Sequence, residues 1–495
     1  MFDFQTPTAT ENKAIVIGGS IAGLLTAQVL TKYFDRVIIV ERDRFPEQPE
    51  QRHGVPQAYH VHVLLIRGQQ ILEQLFPGII AELTNSGTPI MDSVADCPWL
   101  GFNGWAPRFS SHLTSCACSR NLLEWTIRRR LAANDRIVFV QAAQVTNLLS
   151  NPNKSTITGV RVSFRNEPEA EILANLVVDA SGRNSRTPEW LEELGYQSPQ
   201  KTVVNSFLGY ASRWYHPPEG FKSDWKAFLI TSKPPHNTRS AVLYSVEGNR
   251  WIVTLAGISR DYPPTDEAGF LDFARSLRSP IIYQAIKDAQ PISPIYGYKR
   301  TENSLRHYEK LSRLPEGLII VGDAVCAFNP VYGQGMTTAA LGALTVDECL
   351  NKQLSNQSNG NLIGLPRYFQ KQLSKAISVP WLMATGEDFR WPATEGEKPD
   401  LISKFMQLYM DQLLLLQADS AQIHQLFLEV MNLIKPPSAF FQPSILMQVL
   451  KQIINSRHPS DKFIDGENIP NRTYATPILS LRPKRSVGKQ SQSFW

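Results

Sequence analysis

The chain has 495 residues, 42% of them hydrophobic, with 50 Lys and Arg against 45 Asp and Glu and so a net charge of +5. Roughly two to four packed units fit that length. Disordered, collagenous and disulfide-stapled chains are excluded, and a charge this mild predicts no nucleic-acid partner. The five cysteines, Cys97, Cys116, Cys118, Cys326 and Cys349, form no Cys-x-x-Cys pair. They predict free thiols and a cytoplasmic setting. The N-terminus carries no apolar signal segment, and no apolar run reaches the ~18–20 residues of a membrane span. Membrane contact is therefore expected to be peripheral at most.

Residues 13–43 read KAIVIGGSIAGLLTAQVLTKYFDRVIIVERD. Ala14–Ile17 is a short apolar run with the pattern of a buried parallel strand, Ile21–Leu30 has helical spacing, and Val37–Val40 is a second strand ending at Glu41. In this context the glycines form a dinucleotide fingerprint. Gly18 permits the tight turn, Gly19 and Ser20 are small enough for a pyrophosphate to approach, and Gly23 lets helix and strand pack closely. The helix N-terminus directs free N–H groups at the phosphates. Glu41 is placed to accept from ribose hydroxyls, with Arg42 beside it as a further candidate contact. Ser20 stands where a second fingerprint glycine is usual; its hydroxyl is small and can donate to phosphate.

Residues 318–344 read LIIVGDAVCAFNPVYGQGMTTAALGAL. An apolar strand, Leu318–Val321, runs into Gly322-Asp323, and a loop with Pro330, Gly333 and Gly335 leads to a helix from about Met336. Asp323 is placed to accept from a ribityl or ribose hydroxyl. The helix N-terminus would face the part of a flavin that becomes negative on reduction.

This segment resembles the second FAD motif of the class A flavoprotein monooxygenases, the family of para-hydroxybenzoate hydroxylase and squalene epoxidase. Arg52 in RHGVPQAYHVH and Arg120 in SRNLLEWTIRRR stand where that family places FAD-contacting arginines, and VVDASGRNSRTPEWLEELGY (177–196) takes the place of its middle motif. The resemblance covers about 340 residues in four ordered motifs. It implies FAD as cofactor and NAD(P)H as direct or indirect electron donor. The middle motif departs from the hydroxylase pattern: Ser181-Gly182 stands where Asp-Gly is usual, a form nearer to halogenases and geranylgeranyl reductases. A separate flavin reductase is therefore a candidate partner. Arg183 and Arg186 are read either as a solvated loop or as contacts for a transient nucleotide phosphate. The tryptophan segment of halogenases is missing, and no lysine occurs between Lys32 and Lys154, where their channel lysine belongs.

His53, His60 and His62 suggest structural contacts or hydrogen bonds near the flavin; no third ligand stands near them for a metal. Cys326 is expected as a small packed residue beside the flavin. Asn329 and Tyr332, in the loop before the second helix, are candidates to face substrate. The segments 203–215, 225–232, 239–246 and 250–257 are rich in aromatic and β-branched residues and predict an antiparallel sheet. Trp214, Trp225 and Trp251 belong either to its core or to a substrate pocket. By the family pattern, Trp99, Phe102 and Trp105 cross into this sheet. From about 356 the chain reads as helical, with amphipathic stretches in 401–434 and 444–454. These helices pack on the FAD domain, line an apolar tunnel or rest on a membrane surface. Gly386–Pro392 reads as a turn.

The expected fold is α/β: a Rossmann-like, glutathione reductase-type FAD-binding domain with an inserted antiparallel sheet and a helical C-terminal region. Its parts are 1–85, 111–190 and 306–355 for FAD, 86–110 for the crossover, 191–305 for the sheet and 356–470 for the helices. A basic tail, 471–495, carries Arg472, Arg482, Lys484, Arg485 and Lys489 and no acid, which leaves 45 basic against 45 acidic residues in the rest. Its composition predicts disorder. The function implied is monooxygenation by O2, hydroxylating or epoxidising an apolar aromatic, polyketide or isoprenoid-like molecule through a flavin hydroperoxide. A polyprenyl-type alkene reductase and a non-catalytic flavin-bound protein are the alternatives.

Overall fold

The computed structural model describes residues 11–356, 361–397, 400–455 and 469–472. Five parallel strands, β1 (Lys13–Ile17), β2 (Arg36–Glu41), β3 (Ile137–Gln141), β4 (Leu176–Asp179) and β5 (Leu318–Ile320), form a sheet in the order β5-β4-β1-β2-β3. β1 lies at the centre, with Ile15 opposite Ile38 on one side and Val177 on the other. Its continuous apolar run follows from that place, because a parallel strand covered on both faces has no solvent side for polar residues. The helices α1 (Ile21–Leu30), α2 (Arg120–Ala132), α3 (Gly335–Asn356) and α4 (Leu365–Asp388) complete this layer, α3 packing against both α1 and α4. The chain leaves β1 toward β2 and later returns to β4 on the opposite side. The crevice beyond the C-terminal ends of these strands is thus the ligand position of an open α/β sheet.

Between β3 and β4 the chain forms a three-stranded antiparallel sheet, Ala143–Ser150, Ile157–Phe164 and Ala170–Leu173. A larger antiparallel sheet follows, built from Gly209–His216, Arg250–Gly257, Arg239–Val246 and Ala227–Ile230, with the crossover strand Trp99–Gly101 added alongside Ala227–Ile230. The expected strand over 203–215 is in fact two. Lys201–Val204 pairs with Asn303–Arg306 in another sheet, and Phe207, at φ +52°, turns the chain before Gly209.

The C-terminal region is helical as expected: α5 (Leu401–Leu416), α6 (Ala421–Met431) and α7 (Pro443–Asn455) enclose Leu413, Ile423, Val430, Ile445 and Val449, and Trp99 and Phe102 pack onto this cluster. One expectation fails locally. Gly386–Asp388 is the last turn of α4, so only Phe389–Pro392 belongs to the connection. Among the described residues no helix is long and apolar enough to cross a membrane. Of the tail, Arg472 is described, its Nη1 donating to Asp96 Oδ1 at 3.3 Å; Arg482, Lys484, Arg485 and Lys489 lie outside the described residues.

Candidate active site

The C-terminal ends of β1, β2, β4 and β5 deliver Gly18, Glu41, Ser181 and Asp323 to one cavity of about 1750 Å³. Gly18 turns the chain at φ +103°, and a Cβ there would stand 2.6 Å from the Ala180 carbonyl oxygen. At Gly23 a Cβ would come within 1.9 Å of the Gly18 oxygen. Only glycine permits this approach of α1 to the strand end. Glu41 Oε2 accepts from Gly19 N at 2.8 Å and Oε1 from Asp43 N at 3.0 Å. Arg42 is exposed at the rim, with Nη2 3.4 Å from the Gly54 carbonyl.

Behind the glycine turn lies a buried charge cluster. Arg52 Nε donates to Glu124 Oε1 at 2.8 Å, its Nη1 lies 3.1 Å from Glu41 Oε2, and its Nη2 donates to the Gly19 carbonyl at 3.1 Å. Ser20 Oγ donates to Glu124 Oε2 at 2.8 Å and accepts from Arg120 Nη2 at 2.7 Å. The serine in the second glycine place therefore spends its proton on Glu124. Burial works against the Arg52 charge, yet Glu124 and Glu41 outweigh it and hold the guanidinium above its usual pKa. Arg120 lies deeper, and burial pushes it down despite Glu124. Glu124 was not singled out in the sequence: a glutamate inside a helix reads as a solvated face, and only its spacing of four from Arg120 hinted at a pair.

At the other end of the cavity Asp323 follows β5, its carboxyl pushed up by burial while Arg183 and Arg120 act to lower it. Gly333 turns at φ +66°. Gly335 opens α3, and a Cβ there would meet nothing within 4 Å, so this helix start faces free space. Met336, buried next to it, also lines the cavity. The first turn of α3 presents N–H groups without intrahelical acceptors. Arg120 Nε and Gln334 Oε1 are buried with no hydrogen-bond partner among the described residues. Orphaned groups of both polarities, a glycine cradle and a helix N-terminus fit a group with a pyrophosphate and a polar ring edge, as FAD has.

The middle motif is mainly structural. Fully buried Asp179 accepts from Ser181 N at 2.9 Å, Ser181 Oγ at 2.6 Å and Thr187 Oγ1 at 2.6 Å, and from Ser185 Oγ. Arg186 lines the cavity but is exposed over the Trp190 ring, as in the solvated-loop reading. Arg183 does not match it: Nη1 donates to the Glu302 carbonyl at 2.9 Å and Nη2 to the Phe328 carbonyl at 2.6 Å, which hold it at the cavity wall.

His60 Nδ1 lies 2.8 Å from Ser212 Oγ, and burial lowers its pKa to about 4. His62 Nδ1 donates to the His60 carbonyl at 3.0 Å, and burial lowers it to about 3. Both are neutral wall residues, and no metal-binding cluster occurs among the described residues. Cys326 is buried, its thiol pushed up by burial. Trp214, Trp225 and Trp251 do not line the cavity; Trp214 Nε1 donates to the Tyr59 carbonyl at 3.0 Å, Trp251 packs in the sheet core and half-buried Trp225 packs against it. Trp99, Phe102 and Trp381 do line it. Of the loop pair, Tyr332 lines the cavity and Asn329 is buried behind it.

Residues 11–364 match the family model described as the FAD binding domain. The chain belongs to the class A flavoprotein monooxygenase family. It is an FAD-dependent oxidoreductase. Protein Rv3254 of Mycobacterium tuberculosis is 33% identical over 342 residues, 67% of this chain and 72% of that protein. Kynurenine 3-monooxygenase of Salinispora arenicola is 23% identical over 356 residues, 68% and 72% of the two chains. Among solved structures, the flavin-dependent brominase Bmp2 superposes with a TM-score of 0.63 at 12% identity, over 91% of this chain and all of that one. PqsL from Pseudomonas aeruginosa, a probable FAD-dependent monooxygenase by its description, gives 0.55 at 15% identity over 77% and 98%. At these identities the last two show the fold alone.

Proposed function

We propose that this flavoprotein inserts oxygen from O2 into an apolar small molecule. Gly18, Gly19, Ser20, Gly23 and Glu41, with Arg42 at the rim, hold the adenosine and pyrophosphate of FAD. Arg52 and Arg120 neutralise its phosphates, and Asp323, Gly333, Gly335 and Met336 seat its ribityl and ring. Bound FAD supplies the activation of O2; the protein orients substrate and excludes water. Electrons come from NAD(P)H, directly or through a separate flavin reductase, since Ser181 replaces the usual acid and Asp179 is taken up in its loop. The carrying observation is that the cavity lined by Gly335 also has an apolar wall formed by Met383, Met406, Met410, Leu414 and Phe427. No lysine lines it among the described residues, which favours oxygenation over halogenation for this fold.

The test is incubation of the FAD-loaded protein with NADPH, isotopically labelled O2 and a panel of phenols, polyketides and isoprenoids. One labelled oxygen in a product supports the reading. Saturation of an alkene without label overturns it in favour of a reductase.

A second reading concerns where the enzyme works. Leu401, Phe405 and Leu408 of α5 and Met447, Leu450 and Ile454 of α7 are exposed on two helices that pack together, with Lys404 and Lys451 exposed among them. Such a face suits peripheral contact with a membrane that stores the substrate. Vesicle flotation checks it: wild type should float with anionic vesicles and a Phe405→Asp, Leu450→Asp double variant should not.

A further inference from the structure

Directly after α5, Gln417 places a polar side chain among apolar ones. It is 2% exposed and lines the cavity together with Met410, Leu414 and Phe427 and with Trp99 and Phe102 of the crossover. One end of its amide is committed: Nε2 donates to His424 Nδ1 of α6 at 3.0 Å. An amide nitrogen only donates, so Nδ1 accepts and the ring proton sits on Nε2. His424 is itself buried, edge-on to the Trp99 ring. Burial lowers its pKa to about 4, which leaves the ring uncharged and Nδ1 able to accept at neutral pH.

The other end of the amide has no such partner. The bond to His424 is the only hydrogen bond of this side chain among the described residues. Gly101 stands beside Oε1, and a Cβ there would lie 3.0 Å from it; glycine leaves that space open. Arg278 Nη2, at the same strand, is spent on the Gly101 and Leu100 carbonyls at 2.6 and 3.2 Å. A buried carbonyl oxygen without a donor is costly, and an apolar side chain would complete this wall without that cost. A fixed amide with its oxygen left over at a cavity wall suits a ligand that brings the donor.

We propose that Gln417 Oε1 is the polar contact through which the proposed substrate cavity selects its ligand, an apolar ring system carrying a hydroxyl or N–H group that donates to this oxygen. His424 does not touch the ligand. It acts through Gln417, holding the amide so that oxygen and not nitrogen meets the donor. An analogue that can only accept, such as an ether, sets one oxygen against another with no proton between them. The contact is a neutral hydrogen bond, and no proton changes owner. The inference rests on the reading of this cavity as the oxygenase's substrate site and narrows the class of molecule it takes.

The test uses the FAD-loaded full chain and three naphthalene probes of similar size. 2-Naphthylmethanol donates, 2-(methoxymethyl)naphthalene only accepts, and 2-ethylnaphthalene does neither. Equilibrium dialysis reads their affinities. Wild type should prefer the alcohol to the ether and to the hydrocarbon by about tenfold, the equivalent of one neutral hydrogen bond. Gln417→Leu should bring these ratios to about one while FAD is retained. Gly101→Ala, which crowds Oε1 and keeps the amide, carries the test if Gln417→Leu loses FAD. His424→Leu should also remove the preference, because the amide is then able to turn. His424→Asn, whose Oδ1 can stand in for Nδ1, should restore it, which a merely structural role for His424 would not produce. Equal affinities in wild type, preference for the ether, binding of none of the three, or a preference that survives Gln417→Leu (or Gly101→Ala in its place) overturns the proposal. Preference kept in His424→Leu, or lost there and not restored by His424→Asn, overturns the role given to His424. Failure of the oxygenase reading looks different: the preference for the alcohol persists while labelled oxygen enters no product.

Discussion

Arg52 Nε and Glu124 Oε1 meet at 2.8 Å with both side chains almost fully buried. The pair is anchored at both ends, because Arg52 also reaches Glu41 and Glu124 also binds Ser20 and Arg120. Glu124→Ala removes the acid that two buried arginines share, and breaking a buried pair costs about 3–5 kcal/mol. Glu41 still faces Arg52, so a loss near the lower figure is expected, with weakened FAD retention. Urea unfolding and flavin release on gel filtration measure both effects; Glu124→Gln should lose less stability.

The two cavity glycines should separate folding from cofactor binding. Gly18→Ala puts a Cβ on a backbone at φ +103° and 2.6 Å from a carbonyl oxygen, which costs about 1–3 kcal/mol. A Cβ at Gly335 would meet nothing within 4 Å. The apoprotein of Gly335→Leu should keep its melting temperature while losing FAD affinity by an order of magnitude or more; that of Gly18→Ala should melt early. Calorimetry of the apoproteins and flavin fluorescence titration distinguish the two.

Asp388 should leave a signature in stability against pH. Its folded pKa of about 7 lies above the reference value of 3.8, so the native state resists ionisation there. The penalty is absent below about pH 4, grows as pH rises through that range and is complete above about 7, reaching roughly 4 kcal/mol as an upper bound. Asp388→Asn should therefore gain stability relative to wild type at pH 8 and not at pH 4. Denaturant titrations at the two pH values check the sign.

Met410→Trp should narrow the cavity at its apolar wall. Affinity for a long-chain hydrophobic fluorophore should fall by about tenfold, roughly the effect of losing one to two buried methylenes' worth of contact, while the flavin spectrum stays unchanged. Fluorescence titration of the holoenzyme measures it.

What the sequence made legible were features dictated by local backbone physics. Gly18 and Gly23 could be placed because a turn between strand and helix admits nothing larger, and β1 could be placed because its whole length is apolar. Asp323 was found because it follows a strand directly. Glu124 and Asp388 were not, because their meaning lies in partners far along the chain: Arg52 is 72 residues from Glu124, and Tyr332 is 56 from Asp388. A buried acid on a helix looks like an exposed one until those partners arrive. Arg183, left open between a solvated loop and a phosphate contact, could not be decided for the same reason, since the carbonyls that hold it come from residues 302 and 328. The sheet tryptophans, left open between core and pocket, lie with the sheet clusters, and the sequence could not decide this for a different reason. Alternation shows which residues share a face, and it does not tell which face meets the helices and which meets the cavity.

The family match ends at residue 364, yet Met383, Met406, Met410, Leu414 and Phe427 of the apolar cavity wall all lie beyond it. The family match contains the residues proposed to hold the dinucleotide, and much of the proposed substrate wall is supplied by the segment that follows. Helices α5–α7 therefore offer positions at which the proposed substrate wall can be altered outside the segment that carries the phosphate turn. Exchanging residues 365–455 with the matching segment of a relative should transfer substrate preference and leave the flavin spectrum as it was.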